Sequence, residues 1–240
     1  MKLLIVRHAD PDYSIDSLTE TGWIEAELLS QRLTMLDVKA FYCSPLGRAK
    51  DTSTATLAKL NRTAEIMPWL REFSPGLKNP STGGNCAWDW LPQTWTEEPK
   101  FYDKDCWTDT AFRDTGIREQ EKWVAEGLDE LIARHGYVRE GNYYRAEQPN
   151  GDTIVLFCHF GVECVLLSHL LGISPMVLWH GSCAAPSSVT TLVTEERREG
   201  IAYFRMSAFG DISHLYAASR EPSFSARFCE MYTNEHERHD

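Results

Sequence analysis

Two apolar runs end on histidine: LLIVRH closes on His8 with Arg7 just before it, and TIVLFCH closes on His159. An imidazole titrates near neutrality, so it serves as nucleophile, general base or metal ligand according to its neighbours. Either histidine alone reads first as a hydrogen-bonded structural residue. Two of them at the carboxyl ends of parallel strands would share the crevice where α/β sheets bind ligands. Arg48, in YCSPLGRAKDTS, adds a cation in the first turn of a predicted helix, beside the positive end of the helix dipole. That position asks for an anion, a phosphate or a carboxylate; the alternative is a solvated arginine.

The elements that must position these groups alternate. Lys2 to Val6 reads as a buried strand, and Leu18 to Leu33 has helical spacing at Ile24, Leu28, Leu29 and Leu33, with Thr19 or Thr21 as cap. Ala40 to Cys43 is strand-like, Arg48 to Leu60 helical with Leu57 and Leu60 on its apolar side, and Ala64 to Met67 strand-like again. A helix over Ile117 to Arg134 should bury Trp123, Leu128, Leu131 and Ile132, and a polar, tyrosine-rich stretch with an Asn150-Gly151 turn follows. Thr153 to Phe157 is the strongest strand, Gly161 to Leu171 a helix stopped by Gly172, and Val189 to Thr194 with Ala202 to Ala208 a strand pair joined by EERREG. The alternation predicts a three-layer α/β/α sandwich, with a mostly parallel central sheet, in a single domain over 1–240.

From Phe73 to about Thr115 the rhythm fails and Trp88, Trp90, Trp95 and Trp107 gather, which predicts an inserted lid. The tryptophans form either an aromatic wall for an apolar or ring-bearing leaving group or a lid core packed on itself. No run is long enough to span a membrane, and the chain opens on a strand rather than a secretory leader. Seven cysteines without a C-x-x-C pair fit reduced thiols in a cytoplasmic protein, and no metal site is expected. His180, Cys183, His236 and His239 lack ligand spacing and read as structural or solvated. A net charge of -11 argues against nucleic acid and an anionic membrane as partners, but a few arginines in a cleft still admit a small anion.

VRHAD, LTETGWIEA, YCSPLGRAKDT, WLREF and FCHFGV, with SHL at 213–215, resemble in order and spacing the motifs of the histidine phosphatase (phosphoglycerate mutase-like) superfamily, in both halves of the chain and outside the lid. The resemblance implies a metal-independent phosphatase that takes a small phosphorylated substrate and needs no cofactor. It implies His8 as the nucleophile receiving the phosphoryl group, Arg7, Arg48 and His159 around the phosphate, and Glu72 as the acid that protonates the leaving oxygen.

The chemistry suits those residue types. A neutral imidazole divides one hard hydrolysis into two transfers, and two guanidiniums offset the transition-state charge. The family pattern R-H-G-E or R-H-G-Q, then a small hydroxyl residue and an asparagine, is replaced here by RHADPDYS, with Ser14 at the asparagine's place. Asp10 and Ser14 are therefore expected to support the site from behind the phosphate contacts, with Asp12 beside them. Phe160 stands where a small residue is common and narrows the pocket. These departures weigh against a glycolytic mutase. A mutase-type phosphoryl transferase, a non-catalytic phosphate-ligand binding protein and a phosphohistidine-protein phosphatase remain as alternatives, with a homodimer left open.

Overall fold

The computed structural model describes residues 1–74, 83–225 and 231–232; the lid residues 75–82 and most of the terminal segment, with His236 and His239, lie outside the described residues. In chain order the elements are β1 (Lys2–Arg7), β2 (Pro11–Asp12), β3 (Ser17–Leu18), α1 (Glu20–Leu33), β4 (Ala40–Cys43), α2 (Gly47–Leu60) and β5 (Glu65–Ile66). The lid contributes α3 (Pro92–Trp95). Then come α4 (Ile117–Arg134), β6 (Tyr137–Glu140), β7 (Tyr143–Ala146), β8 (Thr153–Cys158), α5 (Phe160–Leu171), α6 (Pro175–Gly181), β9 (Val189–Arg198), β10 (Ile201–Asp211) and α7 (Ser213–Ala217).

Eight strands form one sheet in the order β5-β4-β8-β1-β9-β10-β7-β6. The half that runs β5-β4-β8-β1 is parallel, and β9, β10, β7 and β6 extend it antiparallel. β8 comes late in the chain yet lies between β1 and β4, with Arg7 level with Cys158 and Cys43 level with Phe157. That insertion makes a switch point in strand order, and the carboxyl ends of three parallel strands open onto one crevice.

Alternation along the strands builds two cores. Leu3 and Ile5, with Tyr42, Ile154, Leu156 and Cys158, pack towards α4, α5 and the lid. Leu4 and Val6, with Phe41, Cys43, Val155 and Phe157, pack on Leu29, Leu33 and Ala49 of α1 and α2. The result is the expected α/β sandwich with helices on both faces. Among the described residues no helix is long and apolar enough to cross a membrane.

Thr19 caps α1 by accepting the Gly22 N–H, as its position before the helix predicts. The buried face of α1 is rotated from the expected one, however. Ile24 is exposed and Glu25 is buried, because the backbone N–H groups of Asp10 and Ser223 donate to the Glu25 carboxylate. On α4 the expected bounds hold, but Trp123 is exposed: Ile117, Val124, Leu128, Leu131 and Ile132 make the inward stripe. The tyrosine-rich stretch after α4 is a hairpin, β6–β7, that joins the far edge of the sheet. The β9–β10 pair runs longer than expected, through to Arg198, with Gly200 at φ 78° in the turn.

The aromatics of the 73–115 segment join the same core as Leu3 and Ile5. Trp90 lies against Phe101 and Phe112 at 5.3 and 5.0 Å between ring centroids, and Trp107 against Phe112 and Trp179 at 5.7 and 5.5 Å. Trp95 packs on Tyr102 and His180. His180 is structural as expected, accepting the Trp90 N–H and donating to the Met176 carbonyl.

Candidate active site

His8 follows β1, Ser44 follows β4 and His159 follows β8, so the three parallel strands deliver them to one place. The His8 N–H donates to the Cys158 carbonyl and the Ser44 N–H to the Phe157 carbonyl, both at 2.9 Å, which extends the ladder just past the strands. The two imidazoles face each other with centroids 5.1 Å apart and planes tilted by 57°. Both are buried.

His8 Nδ1 lies 2.8 Å from the Ala9 carbonyl oxygen. A carbonyl only accepts, so Nδ1 carries the proton and Nε2 keeps its lone pair. Burial first, then the charges of Arg7 and Arg48, hold the His8 pKa well below its ordinary value, against the opposing pull of the Ala9 carbonyl. The ring thus favours the neutral form, with its tautomer set by the Ala9 carbonyl.

On His159, Nε2 lies 2.7 Å from the Ser44 hydroxyl, which itself accepts the Leu46 N–H at 3.2 Å. The Ser44 hydroxyl thereby anchors the Nε2 edge of the ring, and Nδ1 is a buried atom with no partner among the described residues. Burial first, then His8, Arg48 and Arg7, lower the His159 pKa well below its usual value.

The guanidinium of Arg7 is 2% exposed, donates to the Ala184 carbonyl at 2.5 Å and lies 5.9 Å from the Phe160 ring centre. Arg48 donates to Asp16 Oδ1 at 2.7 Å and stacks at 5.3 Å on Tyr13. Nε of each arginine is buried without a partner among the described residues. The helix-dipole reading of Arg48 meets its anion here as a carboxylate: Asp16 Oδ2 also accepts the Gly47 N–H at 2.7 Å. Asp16 gives no signal in sequence, because the pair is distant along the chain and Asp16 reaches it from a left-handed turn at φ 50°.

Glu72 is half-buried beyond the short 3-10 turn at Pro68–Leu70. Its Oε1 accepts the backbone N–H groups of Phe73 at 2.8 Å and Val162 at 3.1 Å, the second from the first turn of α5. Burial raises its pKa above the ordinary carboxylate range, against those N–H groups and the two arginines. A carboxyl so placed keeps its proton to higher pH, as a general acid must.

Gly161 makes this approach feasible. A Cβ there would lie 2.6 Å from Glu72 Oε1 and 2.3 Å from Cζ3 of Trp88. Trp88 is thus the lid tryptophan that reaches the site, edge-on to Phe160 with centroids 6.4 Å apart.

Asp10 and Ser14 point elsewhere. The Asp10 carboxylate accepts the hydroxyls of Thr19 at 2.7 Å and Ser225 at 2.6 Å, tying the start of α1 to the C-terminal segment. The Ser14 hydroxyl donates to Asp12 at 2.6 Å in an exposed turn. Neither residue bonds to Arg7, His8, Arg48 or His159 among the described residues. Local turn and cap geometry claims both, as small polar residues beside a helix start commonly do.

The loop before β9 closes the site from behind. Arg7 N–H donates to the Ser188 carbonyl, and Ser187 N–H to the His8 carbonyl at 3.0 Å. The Ser187 hydroxyl lies 3.0 Å from Nε2 of His214, in the SHL motif, so that motif supports the His8 backbone through Ser187. Burial lowers the His214 pKa to about 4, so the ring is neutral.

Glu163 on α5 is fully buried with neither carboxyl oxygen hydrogen-bonded among the described residues. Burial raises its pKa to about 7, with Thr190 and Arg7 opposing and Glu72 adding to the rise. Sequence reading missed it because an acid one turn past His159 looks like a surface residue. No group of three or more His, Cys, Asp or Glu among the described residues is arranged to hold a metal ion.

The model of the histidine phosphatase superfamily (branch 1) matches residues 3–206. A probable phosphatase of Schizosaccharomyces pombe is 38% identical over 232 residues, covering 90% of this chain and 95% of that one. A phosphoserine phosphatase mutant of Entamoeba histolytica, solved with phosphoserine, superposes with a TM-score of 0.60 at 18% identity over 89% of this chain and 98% of its own. A mycobacterial glucosyl-3-phosphoglycerate phosphatase complexed with VO3 gives 0.57 at 18% identity, over 87% and 98%.

Proposed function

We propose that this chain, which belongs to the histidine phosphatase superfamily, is a metal-independent phosphatase that hydrolyses small phosphomonoesters through a phosphohistidine on His8. The observation that carries the reading is the His8 ring itself: neutral, with Nδ1–H given to the Ala9 carbonyl, beside the buried Arg7 and part-buried Arg48, whose Nε atoms have no partner among the described residues.

In the first transfer His8 Nε2 attacks phosphorus, the bond from phosphorus to the ester oxygen breaks, and Glu72 gives its proton to the departing alcohol. Arg7, Arg48 and His159 hold the equatorial oxygens, so the charge of the transition state meets fixed donors. In the second transfer Glu72, now a carboxylate, takes a proton from water as the water attacks phosphorus and the P–N bond breaks. The enzyme returns with Glu72 protonated and His8 neutral.

The two guanidiniums supply the positive charge that a divalent cation supplies elsewhere. Hydrolysis of a panel of phosphomonoesters in the presence of chelator tests the reading. Turnover is expected to persist with chelator and to vanish in His8→Ala; undiminished turnover in that variant, or dependence on added metal, overturns it.

A further inference from the structure

Two aromatic side chains lie against the arginines, and a third, Trp88, borders the space beside Glu72. Tyr13, in the loop between β2 and β3, is 68% exposed, although its ring lies over the Arg48 guanidinium and its hydroxyl feels Arg7, Arg48, Glu72 and Cys86. Phe160, the first residue of α5, sets its ring against Arg7. Trp88 stands edge-on to Phe160, and its six-membered ring and Glu72 Oε1 both border the space above Gly161.

These positions define a direction. A phosphoryl group held by Arg7 and Arg48 turns its ester oxygen to Glu72, because that carboxyl supplies the proton. Past Glu72 the leaving group meets Trp88, with Phe160 and Tyr13 on the arginine side. The other tryptophans of the segment pack elsewhere: Trp90 and Trp107 are buried in the main core, and Trp95 lies on Tyr102 and His180.

We propose that Tyr13, Trp88 and Phe160 form a leaving-group subsite for flat, apolar rings, so that the substrates are phosphomonoesters of ring-bearing alcohols rather than of carboxylated ones. The inference rests on the phosphatase reading of the same site. Charge argues for it as well as shape. The cations acting on His8 and on His159 are the same two, Arg7 and Arg48, and both serve the phosphoryl oxygens. A carboxylate on the leaving group would meet Glu72, on which the cations that act are again Arg48 and Arg7, whereas a ring gains face and edge contacts with aromatic partners.

The test compares kcat/KM for 2-phenylethyl phosphate, ethyl phosphate and O-phosphoserine, alkyl esters that all need the leaving oxygen protonated. The wild type is expected to prefer 2-phenylethyl over ethyl phosphate by at least about 10-fold, and O-phosphoserine to be the poorest of the three. Tyr13→Ala and Trp88→Ala should each lower the phenylethyl-to-ethyl ratio by about 3- to 10-fold, with Tyr13→Phe restoring it. Because Trp88 belongs to the lid, the exposed Tyr13 pair decides the matter if Trp88→Ala misfolds. Hydrolysis of all three esters with a ratio near one, or a ratio untouched by Tyr13→Ala, overturns the subsite and leaves the phosphatase reading standing. Hydrolysis of none of them, with none of the other phosphomonoesters turned over, overturns that reading instead.

Discussion

Gly161→Ala is a methyl-sized probe of the general-acid role proposed for Glu72. The added Cβ would sit 2.3 and 2.5 Å from two ring carbons of Trp88 and 2.6 Å from Glu72 Oε1, whereas ordinary contacts begin beyond 3.4 Å. Something has to move by roughly an ångström. Trp88 is braced by Phe160 and Trp179, and Oε1 is held by two backbone N–H groups, one of them on α5 itself.

The cost to the fold is modest, because overpacking of about 1–3 kcal/mol is partly offset by about 1 kcal/mol for replacing glycine in a helix. The cost to chemistry is larger. An ångström of misplacement is worth about 10²-fold, and full loss of a general acid about 10²- to 10⁴-fold. Turnover of an alkyl phosphate should therefore fall at least about 10²-fold. p-Nitrophenyl phosphate, whose leaving group needs little protonation, should lose much less in the phosphorylation step. Affinity for vanadate or inorganic phosphate should stay within a few-fold, since the three atoms nearest the new methyl belong to Trp88 and Glu72 rather than to the proposed phosphate contacts. Steady-state and single-turnover kinetics on both esters, with a vanadate titration, check this. Wild-type turnover of the alkyl ester, or equal losses on both esters together with lost vanadate binding, refutes the role given to Glu72.

Two further perturbations follow from the same contacts. Ser44→Ala removes the hydroxyl that anchors the His159 ring, and a lost hydrogen bond of about 1–1.5 kcal/mol should lower kcat/KM by roughly 10-fold with little change in melting temperature; an unchanged kcat/KM contradicts the orientation. Glu163 binds its proton more tightly folded, with a pKa of about 7, than in an unfolded chain, where a glutamate titrates near ~4.3. The unfolded chain therefore releases the proton first as pH rises, and stability falls between about pH 4.3 and 7 before levelling off. Glu163→Gln should remove that fall and gain about 3 kcal/mol relative to the wild type between pH 5 and 8 by urea unfolding. A gain that does not grow with pH contradicts the buried carboxyl.

The residues of the centre were legible in sequence because strand ends advertise themselves. A continuous apolar run that stops on Arg7-His8, and another on His159, fit strands whose ends open to a crevice. What joins those ends was not legible locally. β8 enters between β1 and β4, a long-range pairing that no window of sequence contains. Asp16 and Ser44 act on Arg48 and His159 across turns or between strands, so their roles follow from the fold. The opposite error occurred at Asp10 and Ser14, where motif position suggested support for the site but the nearest partners, Thr19, Ser225 and Asp12, claim the side chains. Helix periodicity located α1 and α4 well, yet misjudged Ile24, Glu25 and Trp123. Its averaged stripe ignores the two N–H groups that make burial of Glu25 tolerable.

The most direct test of the account is the covalent intermediate. Rapid quenching into alkali during turnover of a good substrate, followed by peptide mapping, should find an acid-labile, alkali-stable phosphoryl group on His8, formed and lost at rates no slower than kcat. Turnover without label on His8, or with the phosphoryl group on another residue, contradicts it.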